Sequence, residues 1–263
     1  MYQILVAHDL SPEADRALAR GARLARSSGG RLDVVHVLDE HADSARTQHP
    51  REQLQARLAE LGLGQVPLWF RPGHVAEAII TQTAGLQADL LILGRHHRQS
   101  PSGFAGTTLE RILLACPVPV LLAVDAPDPY SRALAALDFS HCASRALRHA
   151  WRLMSAGGVL TALNVHEVAE VHGADEADLA LQRELFDQLL ADLRGELPDN
   201  GARLDARLRQ GERSNCLDAA VAELKPQLLA FGGHSRGEIS EALLGSQTRA
   251  YLGQPPCDVL IAR

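Results

Sequence analysis

Two aspartates 129 residues apart, Asp9 and Asp138, each stand two positions before a serine, Ser11 and Ser140. Each closes a short apolar run, ILVAHD in one case and LAALD in the other. A carboxylate at the end of such a run can accept hydrogen bonds from an adenine amino group or a ribose hydroxyl. Asp-x-Ser is also the composition of a helix N-cap, and taken alone the pattern favours that simpler use. Gly94 and Gly232 end two further apolar runs, and the segments after them reach a Gly106-Thr107 step and a Gly245-Ser246 step. Glycine amides followed by a helix N-terminus suit phosphate oxygens, although glycines after a strand commonly just turn the chain. Carboxylate and glycine loop together, and twice over, point to a nucleotide crevice.

Other chemistries find no footing. The chain has no G-x-x-x-x-G-K-[ST] string and no H-x-G-H or S-G-G-x-D-S motif, which excludes P-loop phosphoryl transfer and the related nucleotide-activating patterns. Ser27-Ser28-Gly29-Gly30 follows a helical segment, where glycines form a C-cap. Cys116, Cys142, Cys216 and Cys257 are scattered without a C-x-x-C pair, so buried reduced thiols are expected rather than zinc or redox chemistry. His96-His97 is the densest pair among 12 histidines, but neighbouring side chains on a strand or helix point apart and do not share one ion. No metal site is expected. With no nucleophile or general base standing out, the expectation is binding without catalysis, slow ATP hydrolysis being the most that bound phosphates would give.

Composition narrows the partners. A formal charge of -6 over 263 residues gives no basic footprint for a phosphate backbone, so nucleic acid is not expected. No apolar run approaches the roughly 18 residues of a membrane span. The first residues, MYQILVAHD, lack the basic start and apolar core of a signal peptide, and the expected location is the cytoplasm.

The elements that must position these residues follow from an internal repeat. ILVAHDLSPEADRALARGARLA at residues 4–25 answers LAALDFSHCASRALRHAWRLM at 134–154. RPGHVAEAI at 71–79 answers RQGERSNCLDAAV at 209–221, and ADLLILGRHH at 88–97 answers PQLLAFGGHS at 226–235, with Gly73 and Gly94 each 138 residues before Gly211 and Gly232. Each copy closes on a proline-flanked apolar run, CPVPVLLAV at 116–124 and PPCDVLIAR at 255–263. Residues 125–131, with two prolines, read as an extended connector, giving one domain over 1–126 and a second over 130–263. Val-, Ile- and Leu-rich runs alternate with segments of helical period. That alternation predicts a parallel sheet with helices on both faces. In the first copy, strands are expected near 2–8, 31–38, 66–71, 89–94 and 118–124, and helices near 12–28, 50–62, 74–87 and 105–115.

These residues resemble the universal stress protein family over nearly all of both copies. The likeness rests on the first strand ending in Asp, a Gly before the third helix, and the A-D-L-x-I-x-G-x-H strand of the first copy. The G-x-x-G-x(9)-G-[ST] loop and the last P-V-x-V-like strand complete it. The resemblance implies an α/β fold of two tandem doubly wound domains, each a five-stranded parallel sheet in order 3-2-1-4-5. The reversal then falls between strands 1 and 4, where ligands of such sheets bind.

In ATP-binding members the loop holds ribose and phosphates, and the second copy matches it more closely. Gly232-Gly233-His234-Ser235 is followed by nine residues and then Gly245-Ser246-Gln247-Thr248, so only one glycine is replaced, by Ser235. The resemblance implies that Asp138, with Ser140, and the main chain near Val165 hold the base and that Gly232 meets the ribose. Ser235, Gly245, Ser246 and Thr248 then meet the phosphates, with His234, Arg236 and Gln247 beside them. The first copy reads Gly94-Arg95-His96-His97, then eight residues, then Gly106-Thr107. It is bulkier and one residue shorter, so Asp9, Gly94, Gly106 and Thr107 are expected to form a degenerate site. The implied ligand is ATP, ADP or AMP, accompanied in the triphosphate case by Mg²⁺. The function implied is nucleotide-dependent assembly or partner binding in a stress response. The alternative is an interaction module that has lost its nucleotide and keeps an internal pseudo-dimer. Exposed apolar edges seek partners, so residues 118–124 and 258–263 are the expected pairing strands, within the chain or in a homodimer.

Overall fold

A computed structural model describes residues 1–39, 44–95, 108–124, 128–167, 176–233 and 245–263. The first half runs β1 (Gln3–Ala7), α1 (Pro12–Ser28), β2 (Arg31–Leu38), α2 (Ser44–Glu60), β3 (Leu68–Pro72), α3 (Val75–Gly85), β4 (Leu90–Gly94), α4 (Thr108–Ala115) and β5 (Val120–Ala123). The second half repeats it: β6 (Tyr130–Leu137), α5 (His141–Leu153), β7 (Met154–His166), α6 (Glu176–Glu196), β8 (Arg203–Gln210), α7 (Arg213–Leu224), β9 (Leu228–Gly232), α8 (Ser246–Gly253) and β10 (Asp258–Ala262).

Local chemistry accounts for several boundaries. Ser11 caps α1 by accepting from the Ala14 amide at 3.1 Å, Pro12 opens the helix, Glu13 and Asp15 sit in its first turn, and Gly29 closes it in the left-handed region. Gly73 and Gly211, matched by the repeat, have φ of 116° and 138°. Backbone of that kind is strained for any side chain bearing a Cβ. β1, β4, β5, β9 and β10 are almost wholly buried, as strands covered on both faces must be.

Ten strands form one sheet in the order β3-β2-β1-β4-β5-β10-β9-β6-β7-β8. Each half is thus an α/β layer with its own strands in order 3-2-1-4-5. Pairing is parallel throughout each half. The halves join where β5 meets β10 antiparallel, with Val120 opposite Ile261, Leu121 opposite Leu260 and Leu122 opposite Val259. This junction turns the second half around, so the carboxyl ends of the two sets of strands lie at opposite edges of the sheet. Each face carries one apolar core that continues across the junction. Leu18, Leu54, Leu121, Leu147, Phe186 and Leu260 belong to one. Ile79, Ile112, Val120, Leu217, Leu252 and Val259 belong to the other.

Most boundaries shift by at most two residues from the sequence expectation, and among the described residues two differ by more. α2 begins at Ser44 and holds Pro50 in its interior, although a proline there forfeits a helix hydrogen bond. Gln48 Nε2 donates to Glu52 Oε1 at 2.6 Å, one turn on, and staples the helix across that gap. β6 begins at Tyr130, inside the stretch read as connector. Tyr130 is buried opposite Met154, and the Ser131 amide and hydroxyl both donate to Gln227 Oε1, at 2.8 and 3.0 Å. Non-local burial and pairing therefore extend the strand beyond its local pattern. No helix among the described residues is long and apolar enough to cross a membrane.

Candidate functional site

The turn after the first strand is built identically in both halves. Asp9 Oδ1 accepts from the Ser11 amide at 3.1 Å and from its hydroxyl at 2.5 Å. Asp138 Oδ1 accepts from the Ser140 amide at 3.2 Å and hydroxyl at 2.6 Å. Ser11 and Ser140 in turn cap α1 and α5, accepting from Ala14 and Ala143 at 3.1 Å. Capping and orientation of the carboxylate are therefore the same device. The residue between, Leu10 or Phe139, is forced to φ of 70° or 62°. A left-handed residue bearing a side chain costs roughly 1–2 kcal/mol, and such strain gathers at functional turns. Sequence reasoning did not identify these two residues; the only signal was the repeated Asp-x-Ser frame around a bulky x.

Gly94 and Gly232 owe their smallness to the same helices. A Cβ on Gly94 would stand 2.6 Å from the Glu13 carbonyl carbon, and one on Gly232 would stand 2.5 Å from the Ala143 amide nitrogen. Each glycine lets a strand end pass directly beneath a helix N-terminus. The sequence pattern suggests ribose or phosphate approach at these glycines; close packing of strand against helix is sufficient reason for both.

In the first half these elements enclose a cavity of about 200 Å³ at the carboxyl ends of β1, β2 and β4. Ala7, Val35, Val37 and Leu93 form its floor, Val75 and Ile79 of α3 and Leu109 and Ile112 of α4 its walls, and Asp9, Ser11, Gly94 and Thr108 also line it. It lies at the reversal of strand order between β1 and β4, the position at which open α/β sheets bind ligands. Gly106 and Thr107 lie outside the described residues.

Two histidines support this cavity. His36 Nδ1 donates to the His8 carbonyl at 2.6 Å. His8 Nδ1 accepts from the Leu10 amide at 3.0 Å, so its proton sits on Nε2, facing Asp15 Oδ1 at 3.2 Å. Burial lowers the His8 pKa, overcoming the pull of Asp15. With both nitrogens engaged, neutral His8 braces the strained Leu10 turn. In the second half Leu137 replaces His8 and Asn164 replaces His36, yet Asn164 Nδ2 makes the corresponding bond to the Leu137 carbonyl at 2.8 Å.

The second-half candidates converge by topology. β7, β6 and β9 are neighbours, so Val165 on β7, Asp138 after β6 and Gly232 at the end of β9 share one edge of the sheet. Gly245 is the N-cap of α8 with no side-chain cap, and Ser246, Gln247 and Thr248 form its first turn. Gly245 and Ser246 are exposed, while Thr248 is buried. His234, Ser235 and Arg236 lie outside the described residues.

The universal stress protein family model matches residues 1–123 and, separately, 129–263. The chain belongs to the universal stress protein family. A universal stress protein encoded 3′ of a QAH/OAS sulfhydrylase in Thermus aquaticus is 32% identical over 131 residues, covering 45% of this chain and 96% of that protein. A universal stress protein from Archaeoglobus fulgidus shares the fold across both halves, with a TM-score of 0.73, 18% identity and coverage of 99% of this chain and 97% of that one. A second tandem-sized structure, a putative universal stress protein from Pseudomonas aeruginosa, gives a TM-score of 0.65 at 20% identity, covering 98% and 92%. This universal stress protein is therefore a tandem two-domain member. Among its described residues no group of three or more His, Cys, Asp and Glu side chains is placed to hold a metal ion.

Proposed function

We propose that this universal stress protein binds an adenine nucleotide at the strand-end crevices and acts through nucleotide-dependent assembly or partner contacts rather than catalysis. The cavity at the β1–β4 reversal carries the reading: apolar walls suited to a base, bordered by Asp9, whose carboxylate is oriented by Ser11. Its volume of about 200 Å³ is below the range of whole-ligand pockets. It suits a nucleobase, with sugar and phosphates lying toward the helix N-terminus outside it. His8, with both nitrogens engaged, offers no general base there. The halves contribute different support, since the described cavity is in the first and the fuller glycine loop in the second. The second half, with Ser246 and Thr248 at the start of α8, remains the expected tighter site.

A second reading, a nucleotide-independent interaction module, draws on a specific observation. Gly94 and Gly232 are required by helix packing alone, and Asp9 and Asp138 each serve a cap. The experiment that separates them is acid extraction of the purified protein and mass spectrometry of any nucleotide released, with thermal melts in ATP, ADP and AMP. A co-purified adenine nucleotide or a rise in melting temperature is expected. An empty extract with no shift for any of the three favours the interaction module.

A further inference from the structure

The helices that open at the two crevices touch each other across the junction. α4 lends Thr108, Leu109 and Ile112 to the first cavity, and α8 begins at the Gly245-Ser246 step of the second candidate site. Gly94 and Gly232 pair with Ala123 and Ala262, so the strands that follow α4 and α8 align without a gap. Counting back along both, Glu110 of α4 and Arg249 of α8 occupy equivalent positions. Arg249 Nη2 donates to Glu110 Oε1 at 2.8 Å, with the glutamate side chain 4% exposed and the arginine 30%. Across the junction two like halves would oppose like charges here, so the pair is specific to the union of unlike halves.

We propose that this pair couples the two crevices, so that a ligand in one alters the affinity of the other. The inference rests on the nucleotide reading. A ligand against Leu109 and Ile112 bears on α4 at residues flanking Glu110. Separating a buried carboxylate from its counter-charge is costly, so a displaced α4 draws Arg249 with it, and with Arg249 the turn of α8 that carries Gln247 and Thr248. Because the crevices open at opposite edges of the sheet, the influence has to pass through the protein, and α4 and α8 directly precede the two strands of the junction. Couplings of this kind ordinarily change an affinity by about 5- to 150-fold.

Titration calorimetry of the full-length protein with ATP tests it, using Glu110→Gln, Arg249→Met, the neutral pair Glu110→Gln/Arg249→Gln and the exchanged pair Glu110→Arg/Arg249→Glu. Thermal melts identify the folded variants, and the neutral pair, which buries no lone charge, serves if a single variant fails to fold. At least one dissociation constant should move by about fivefold or more in the single or neutral variants and return toward wild type in the exchanged pair. If one crevice alone fills, substitution in the opposite half must still move its constant. Constants within about twofold of wild type in every folded variant overturn the coupling while leaving the nucleotide reading intact, since a purely structural pair would lower only the melting temperature. No binding by the wild type overturns the nucleotide reading itself, and the coupling with it.

Discussion

Leu121 and Leu260 are register partners at the centre of the antiparallel junction, and they are also equivalent residues of the two copies. A local twofold axis therefore passes between them. Both are 0% exposed, and full burial of a leucine side chain contributes about 1.5–3 kcal/mol. The symmetry stops at the flanks. Arg20 Nε lies 2.8 Å from Asp258 Oδ2, with both side chains buried, and the Tyr130 hydroxyl donates to the same carboxylate while the Val124 amide donates to its other oxygen at 2.7 Å. The positions equivalent to Arg20 and Asp258 hold His149 and Pro119, so this lock exists at one end of the junction.

Removing one partner of that lock parts a buried charge from its counter-charge, which costs about 3–5 kcal/mol. Arg20→Ala and Asp258→Ala should each lower the urea-unfolding free energy of the full chain by that order, and the double variant by less than their sum. Losses below about 1 kcal/mol, as for surface pairs, would show that the lock is not closed in solution.

Gly94→Ala and Gly232→Ala drive a Cβ into the backbone of α1 or α5. Overpacking of that kind costs about 1–3 kcal/mol. Gly195 on α6 has no atom within 4 Å of an added Cβ, so Gly195→Ala should be neutral or stabilising by about 0.5–1 kcal/mol. Equal effects at the three sites in denaturant unfolding would mean that the close approach of strand and helix has been misread.

Acid should weaken the fold through His149. Its pKa is lowered from 6.5 to about 4, chiefly by burial and then by Arg152 and Arg145. Only the unfolded chain takes up this proton between those values, so stability falls as the pH drops from 6.5 toward about 4. In His149→Gln that part of the slope should be absent. Parallel unfolding curves for wild type and variant across this window would contradict the assignment.

Ser246 is the first residue of α8 and is exposed. Aspartate there suits the helix dipole, so Ser246→Asp should leave stability unchanged. Against bound phosphates it removes a donor and adds repulsion. Loss of a charge-assisted hydrogen bond alone costs about 1.5–3 kcal/mol, roughly ten- to hundredfold in affinity. Wild-type ATP affinity in the folded variant, measured by calorimetry, would place the phosphates elsewhere.

The sequence by itself determined the repeated α/β architecture, because apolar periodicity and Asp9 and Asp138 at matching places are local, countable signals. It also located the strand ends at which Asp9, Gly94, Asp138 and Gly232 gather. It named residues 118–124 and 258–263 as the strands that pair, and the tertiary structure decided their antiparallel register and the contacts that flank it. The antiparallel union of β5 with β10, the Arg20–Asp258 lock and the Glu110–Arg249 pair join residues more than a hundred positions apart, and no local pattern encodes which distant group a side chain will reach. The start of β6 at Tyr130 and the left-handed turns at Leu10 and Phe139 have the same origin. Each is a local conformation against the chain's own preference, held in place by contacts that exist only after folding.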